Sequence, residues 1–159
     1  MADILVTYFS KTGHTQAMAE CIAASAGEVE GANVTVRPVA EVTPDDLLDF
    51  DGIIMGSPVY YGTMAAPLKA LIDASVKHHG KLDGKVGGAF SSSGVIGGGN
   101  ETTLMGIIEC LLVHGMIVKG VARGPHYGPT CQGDPNENAR HCCGEYGREV
   151  AELCVRLFA

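Results

Sequence analysis

Ile4-Leu5-Val6-Thr7-Tyr8-Phe9-Ser10-Lys11-Thr12-Gly13-His14-Thr15 is the stretch that decides the fold. An apolar, β-rich run passes into a small hydroxyl-rich loop with one glycine, and an amphipathic segment over 16–26 follows at once. The first turn of a helix leaves its backbone N–H groups unpaired and carries partial positive charge. A strand that feeds a loop into a helix therefore makes a socket for a phosphate dianion. Hydroxyls at Ser10, Thr12 and Thr15 add donors. Each hydrogen bond to a charged group contributes about 1.5–3 kcal/mol, so about four or five hold a terminal phosphate without an arginine. Lys11 is then optional. Similar turns also serve as ordinary helix caps, so the rest of the chain has to decide between the two readings.

The loop lacks the G-x-x-x-x-G-K-[ST] of nucleoside triphosphate sites. Gly13 stands alone, so it also lacks the G-x-G-x-x-G that brings a backbone close to a pyrophosphate. A monophosphate is the expected ligand. The order Ser10-Lys11-Thr12-Gly13-His14-Thr15, directly after the first strand, resembles the flavin mononucleotide (FMN) loop of the flavodoxin superfamily.

Apolar β-rich runs recur at 4–9, 34–39, 51–55, 86–90 and 116–121. Segments of helical period lie between them. Met18, Ile22 and Ser25 share one face; so do Leu68, Leu71, Ile72 and Ser75; so do Leu104, Ile107, Ile108, Leu111 and Leu112. Pro44 to Asp49 suits one or two helical turns. Asp134-Pro135-Asn136-Glu137 offers an N-cap, a proline at the first helical position and a capping-box glutamate. The stripe that follows runs Ala139, Cys143, Tyr146, Val150, Leu153 and Leu157. Alternating strands and helices predict an α/β three-layer sandwich, with a five-stranded parallel sheet in flavodoxin-like order 2-1-3-4-5. Ligands of such sheets bind beyond the carboxyl ends of the strands, where strand order reverses. The loops after strands 1, 3 and 4 should meet there.

Composition narrows the function. The 159 residues, 46% of them hydrophobic, suit one domain over 1–159. A net charge of −7 argues against nucleic acid or an anionic membrane surface as partner. The longest uncharged run, Gly52 to Leu68, contains prolines and glycines and predicts no membrane helix. With no basic leader before the first strand, the expected location is cytoplasmic. The six cysteines read as reduced thiols rather than disulfides, since Cys21, Cys110 and Cys154 fall within helical patterns.

After the third strand, Gly56-Ser57-Pro58-Val59-Tyr60-Tyr61-Gly62-Thr63-Met64 holds two tyrosines between a proline and a glycine. One should pack under the loop while the other faces a flat ring. After the fourth, Ser91-Ser92-Ser93-Gly94-Val95-Ile96-Gly97-Gly98-Gly99-Asn100 exposes backbone donors suited to the pyrimidine edge of a flavin. As a bare pattern it is equally a mobile surface loop. These segments, with Glu101-Thr102-Thr103, Val113-His114-Gly115-Met116 and His126-Tyr127-Gly128, resemble the tryptophan-repressor-binding-protein family of NAD(P)H:quinone oxidoreductases over most of the chain.

The resemblance implies a flavoprotein in which Ser10, Lys11, Thr12, Gly13, His14 and Thr15 hold the phosphate of a tightly, non-covalently bound FMN. Pro58, Val59, Tyr60, Tyr61 and Gly62, with Ser92, Ser93, Gly94, Val95, Gly97, Gly98 and Gly99, would surround the ring. NAD(P)H and a quinone would take turns over one face by ping-pong hydride exchange, with His114 as catalytic residue, in a homodimer or homotetramer. From the residues alone His114 reads more simply as a histidine at a helix C-terminus, where the dipole favours its cation. Two departures from the family stand out. Lys77-His78-His79-Gly80-Lys81 is short where the family is longer and carries a tryptophan facing the flavin, and this chain has no tryptophan. The segment from the fifth strand to His126 is also shorter, and both changes should open the substrate side. His78 or His79 would stand in for the missing ring, or simply end a helix in solvent. His126, Cys131, His141, Cys142 and Cys143 lack C-x-x-C spacing, so no metal is expected; Cys143 reads as core, and Cys131 and Cys142 as exposed thiols. The rival reading is a flavodoxin-type FMN electron carrier serving a redox partner, which the acidic charge and compact length also suit.

Overall fold

The computed structural model describes residues 1–159. Its elements, in chain order, are β1 (Ala2–Tyr8), α1 (His14–Gly27), β2 (Ala32–Pro38), β3 (Gly52–Tyr60), β4 (Thr63–Met64), α2 (Ala66–Ala74), β5 (Val86–Ser93), α3 (Asn100–Val113), β6 (Ile117–Val118), β7 (Thr130–Gln132) and α4 (Glu137–Phe158). The sheet runs β2-β1-β3-β5-β6 with parallel neighbours; β7 also lies parallel on β5, and β4 folds back antiparallel on β3. This is the expected 2-1-3-4-5 order, with β5 in fourth place and β6 and β7 sharing the fifth.

Side chains alternate across each strand, so each strand feeds two cores. Ile4, Val6 and Tyr8 of β1 join Met18, Ile22, Cys143, Tyr146 and Val150 on the α1 and α4 side. Leu5 points the other way, to Ile53, Leu68, Leu104 and Ile107 on the α2 and α3 side. Burial on both faces explains why these strands read as nearly continuous apolar runs. Helices α1 and α4 touch backbone to side-chain position: a Cβ on Gly147 would lie 2.2 Å from the carbonyl oxygen of Ile22.

Several boundaries differ from the sequence reading. The third strand continues through Pro58 to Tyr60, because β4 pairs with its end in a hairpin. The fourth extends through Ser91–Ser93, and these serines are buried strand rather than loop, since Thr130–Gln132 pairs with them. The run at 116–121 yields only the two residues of β6. The 3-10 turn in the 44–49 region covers Asp46–Asp49. Helix α4 starts at Glu137, capped by Asn136, whose side chain accepts from the N–H of Ala139; Asp134 and Pro135 lie before it. Leu112 and Leu157, expected on buried stripes, are exposed.

The division of the fifth strand leaves the outer edge of β5 uncovered between Gly87 and Ser91. Tyr146 fills the gap: its buried hydroxyl accepts the N–H of Ala89 at 3.0 Å. Burial pushes the pKa of this phenol up to about 12, so it remains a neutral hydroxyl at physiological pH. Gly128 covers the neighbouring carbonyl, since a Cβ there would sit 2.0 Å from the oxygen of Ala89.

Two stability measurements follow from this packing. Tyr146→Phe leaves the N–H of Ala89 without its partner and should cost about 1–3 kcal/mol, read as a lower urea midpoint with an unchanged m-value. Gly147→Ala should cost about the same by forcing α1 and α4 apart, whereas Gly27→Ala, with nothing within 4 Å of the new methyl group, should leave the midpoint in place.

Candidate functional site

The strand order reverses between β1 and β3, and three chain segments converge there. The first is the loop after β1. Phe9 N–H donates to the carbonyl of Gly56 at 3.1 Å, which ties this loop to β3. Ser10 Oγ accepts the N–H of Gly13 at 3.1 Å, leaving the Ser10 proton to donate outward. Gly13, at φ 95°, makes the left-handed step that lets α1 begin at His14. No side chain caps this helix end, so its first N–H groups remain directed at the opening. Thr15 is buried and its hydroxyl lies 2.8 Å from Ser92 Oγ, locking the loop to β5.

These contacts enclose a cleft of about 410 Å³. Lys11, Thr12, His14 and Thr15 form one wall; Pro58, Val59 and Tyr60 form a second; Ser92, Ser93 and Gly94 form a third. Gly133, just after β7, completes it. Sequence reasoning missed Gly133 because a long irregular stretch separates it from the other walls; the signal was that a run able to pair with Ser91–Ser93 must end beside them.

Other expected residues shape the cleft without lining it. Tyr61 adopts φ 50° and is fully exposed, and Gly62 follows at φ 77°. The Thr102 hydroxyl lies 2.5 Å from the carbonyl oxygen of Gly62 and 3.0 Å from that of Gly99, its single proton serving one at a time. A Cβ on Gly99 would approach Gly62 Cα to 2.9 Å, so glycine is required where the two loops touch. Gly98 N–H donates to the Val95 carbonyl at 3.1 Å, closing a turn through Gly97. Below it, Asn100 Nδ2 donates to Ser93 Oγ at 3.0 Å, and that hydroxyl donates to the Val95 carbonyl at 2.9 Å. Of the tyrosine pair, Tyr60 lines the cleft and meets Phe9 edge to face, with ring centroids 6.1 Å apart. Neither tyrosine packs beneath the loop.

His114 is elsewhere. Helix α3 runs from Asn100, beside Ser93, to the base of the sheet, where the carbonyl of Gly115 accepts the N–H of Gly84. Its 14 residues separate the two ends by about 20 Å. His114 therefore cannot touch a ring held in the cleft of its own chain. Ser75 Oγ donates to the carbonyl of Ile72 at 2.6 Å, so the His114 Nε2–H must donate to Ser75 Oγ across 2.8 Å. Nδ1 is then a buried acceptor without a donor. Burial, then the neighbouring His79, holds its pKa below the ordinary histidine value, the opposite of the direction expected from a helix C-terminus. His78 and His79 share this base; His78 Nε2 lies 2.5 Å from the carboxylate of Asp45, and neither ring comes near the cleft.

Cys131 is buried, not exposed: it lies in β7 with its sulfur 3.2 Å from that of Met18, and burial pushes its pKa up to about 11. Cys142 is half-buried, and burial followed by Glu145 raises its pKa too. Cys143 sits in the core. No group of three His, Cys, Asp or Glu side chains is arranged to hold a metal ion, and no helix is long and apolar enough to cross a membrane.

Residues 36–123, more than half of the chain, match the NADPH-dependent FMN reductase family. The chain is 35% identical to an NAD(P)H dehydrogenase (quinone) of Nitrobacter winogradskyi, covering 99% of both chains. That alignment runs over 198 positions, more than the 159 residues present here, so the relative carries segments that this chain lacks. A flavodoxin of Aquifex aeolicus is 38% identical over 160 residues, covering 96% of this chain and 86% of the other. Among solved structures, a WrbA-like flavodoxin from Agrobacterium tumefaciens superposes with a TM-score of 0.83 at 27% identity, covering 98% and 99% of the two chains. The chain thus belongs to the NADPH-dependent FMN reductase family of the flavodoxin superfamily, in the branch of the tryptophan-repressor-binding-protein-like NAD(P)H:quinone oxidoreductases.

Proposed function

We propose that the protein is an FMN-dependent oxidoreductase that transfers two electrons from NAD(P)H to a quinone by ping-pong exchange. The observation that carries this reading is the cleft at the strand reversal, walled by the loops after β1, β3 and β5 and floored by an uncapped helix N-terminus. A phosphate monoester suits the α1 end, where free N–H groups and the Ser10 and Thr12 hydroxyls supply donors and Lys11 adds one cation. The close approach of Gly62 and Gly99, which a side chain at 99 would block, holds the mouth at a fixed width for a flat ring.

An FMN held in the cleft would supply two-electron chemistry, being reduced by NAD(P)H and, once NAD(P)⁺ has left, reoxidised by a quinone that takes up two electrons and two protons to become the hydroquinone. The chain's own residues bind and orient. Ser10 to Thr15 hold the phosphate of a tightly, non-covalently bound cofactor, Pro58 to Tyr60 and Ser92 to Gly94 flank the ring, and Tyr61, Gly62, Val95, Gly97, Gly98 and Gly99 set the shape of the mouth. No basic side chain other than Lys11 and His14 lines the cleft, so affinity depends on oriented dipoles rather than on net charge. We place this activity in one domain over residues 1–159, working in the cytoplasm as a homodimer or homotetramer without nucleic acid or membrane as partner. His114 can reach a flavin only in a neighbouring copy.

A one-electron carrier is the second reading, favoured by the flavodoxin relative of almost equal length. The absence of any aromatic residue between Gly94 and Gly99 weighs against it, because that loop then leaves a ring open to a second substrate.

Mixing the FMN-loaded protein anaerobically with NADH or NADPH should bleach the flavin absorbance, and benzoquinone should restore it. A protein that stays oxidised with both nucleotides while exchanging single electrons with a ferredoxin would favour the carrier. Thr12→Val should weaken FMN binding about tenfold or more, as expected for losing one hydrogen bond in a charged site. Riboflavin, which has no phosphate, should bind the variant and the wild type equally in a fluorescence-quenching titration.

A further inference from the structure

The cleft does not end at its own walls. Ser93 is shared with a second cavity of about 340 Å³, between the Gly94–Gly99 loop, β7 and the first turn of α4. Glu101 and Thr130 are shared in turn with a third, of about 250 Å³, beneath Gly124–Gly128. Together they form a trough around the N-terminal end of α3, from the flavin cleft to Tyr127, crossed at its first junction by the 3.4 Å hydrogen bond from Gln132 Nε2 to the Gly94 carbonyl. The amides of Gln132 and Asn138 edge its middle, the exposed carboxylate of Glu101 stands at the junction, and His126 and the half-exposed ring of Tyr127 border the far end. No lysine or arginine lines either cavity. Arg123 lines a separate crevice with Glu145 and Glu149, and Lys11 lies on the phosphate side of the flavin cleft.

We propose that this trough takes the adenosine half of the nicotinamide dinucleotide, and that Glu101 makes the protein select NADH over NADPH. The proposal rests on the oxidoreductase reading above and adds to it the choice of donor. A carboxylate accepts hydrogen bonds from the 2′- and 3′-hydroxyls of an unmodified ribose. A 2′-phosphate in the same place meets like charge with no cation to offset it, inside a chain whose net charge is already −7. Tyr127 offers an aromatic face to the adenine, and the side-chain amides suit the uncharged edges of a base or sugar. Glu101 and Tyr127, on which selectivity would rest, are not among the residues that hold the flavin. Selectivity should therefore change without loss of the cofactor.

The test is anaerobic flavin reduction with NADH, NADPH and reduced nicotinamide mononucleotide, which has no adenosine half, on the FMN-loaded wild type, Glu101→Gln and Tyr127→Ala. The wild type should show kcat/KM at least about tenfold higher for NADH than for NADPH. Glu101→Gln should bring the two within about threefold, mainly through KM, while the mononucleotide reduces both proteins equally. Tyr127→Ala should raise KM for NADH and leave the mononucleotide unaffected. By calorimetry, ADP-ribose should bind the wild type more tightly than 2′-phospho-ADP-ribose, and Glu101→Gln should remove the difference. Equal use of NADH and NADPH by the wild type, or a preference unchanged in Glu101→Gln, overturns the trough while leaving the oxidoreductase intact. Failure of all three nucleotides to bleach the flavin overturns both.

Discussion

The reversal of strand order between β1 and β3 is the constraint on which the site depends. Right-handed crossovers send α1 to one face of the sheet and α2 to the other, so the loops that begin them diverge and leave a crevice between. The same geometry delivers the N-terminus of α1 to the crevice floor with its first N–H groups uncommitted. A phosphate bound there needs no basic cluster, which reconciles an anionic ligand with an acidic protein. The Thr15–Ser92 hydrogen bond and the Phe9–Gly56 backbone bond then fix the width of the opening by tying the β1 loop to both of its neighbours.

The glycines act by proximity as much as by torsion. Gly62 against Gly99, Gly147 against the backbone of Ile22 and Gly128 against Ala89 are places where two chain segments pass closer than any side chain allows. Each lies between elements distant in sequence: two loops of the site, two helices behind the sheet, and the connection that covers the exposed edge of β5. Gly128 and Tyr146 together repair the break that the excursion at 119–129 makes in the fifth strand. That excursion in turn carries Tyr127 toward the crest, and β7 after it carries Gly133 there. The broken strand and the extended site therefore have one cause.

The strand order, the helical faces and the three converging loops were legible in the sequence because each rests on local pattern: apolar runs, spacings of three and four, and a hydroxyl-rich loop flanked by a strand and a helix. What was not legible depends on pairing between distant segments. Ser91–Ser93 read as loop because their partner, Thr130–Gln132, is three residues long and too short to announce itself. Cys131 read as exposed for the same reason. His114 read as part of the site because family position was followed where helix length should have decided: a residue at the C-terminal end of α3 belongs to the base of the sheet whenever the N-terminal end belongs to the crest.

That separation divides the molecule by chemistry. The crest gathers hydroxyls, backbone donors and Glu101, while the base holds His78, His79 and His114 beside Ser75, Asp45 and Asp73, with apolar Val76 and Val113 exposed around them. A packed helix cannot shorten to bring the two ends together, since its axial rise is fixed by its hydrogen bonds. Within one chain, then, His78, His79 and His114 stand apart from the crest, and the chain's own contribution there reduces to holding, aligning and selecting. Chemistry of that kind is carried by the cofactor, and it leaves selectivity among donors to the charge that borders the route by which each of them arrives.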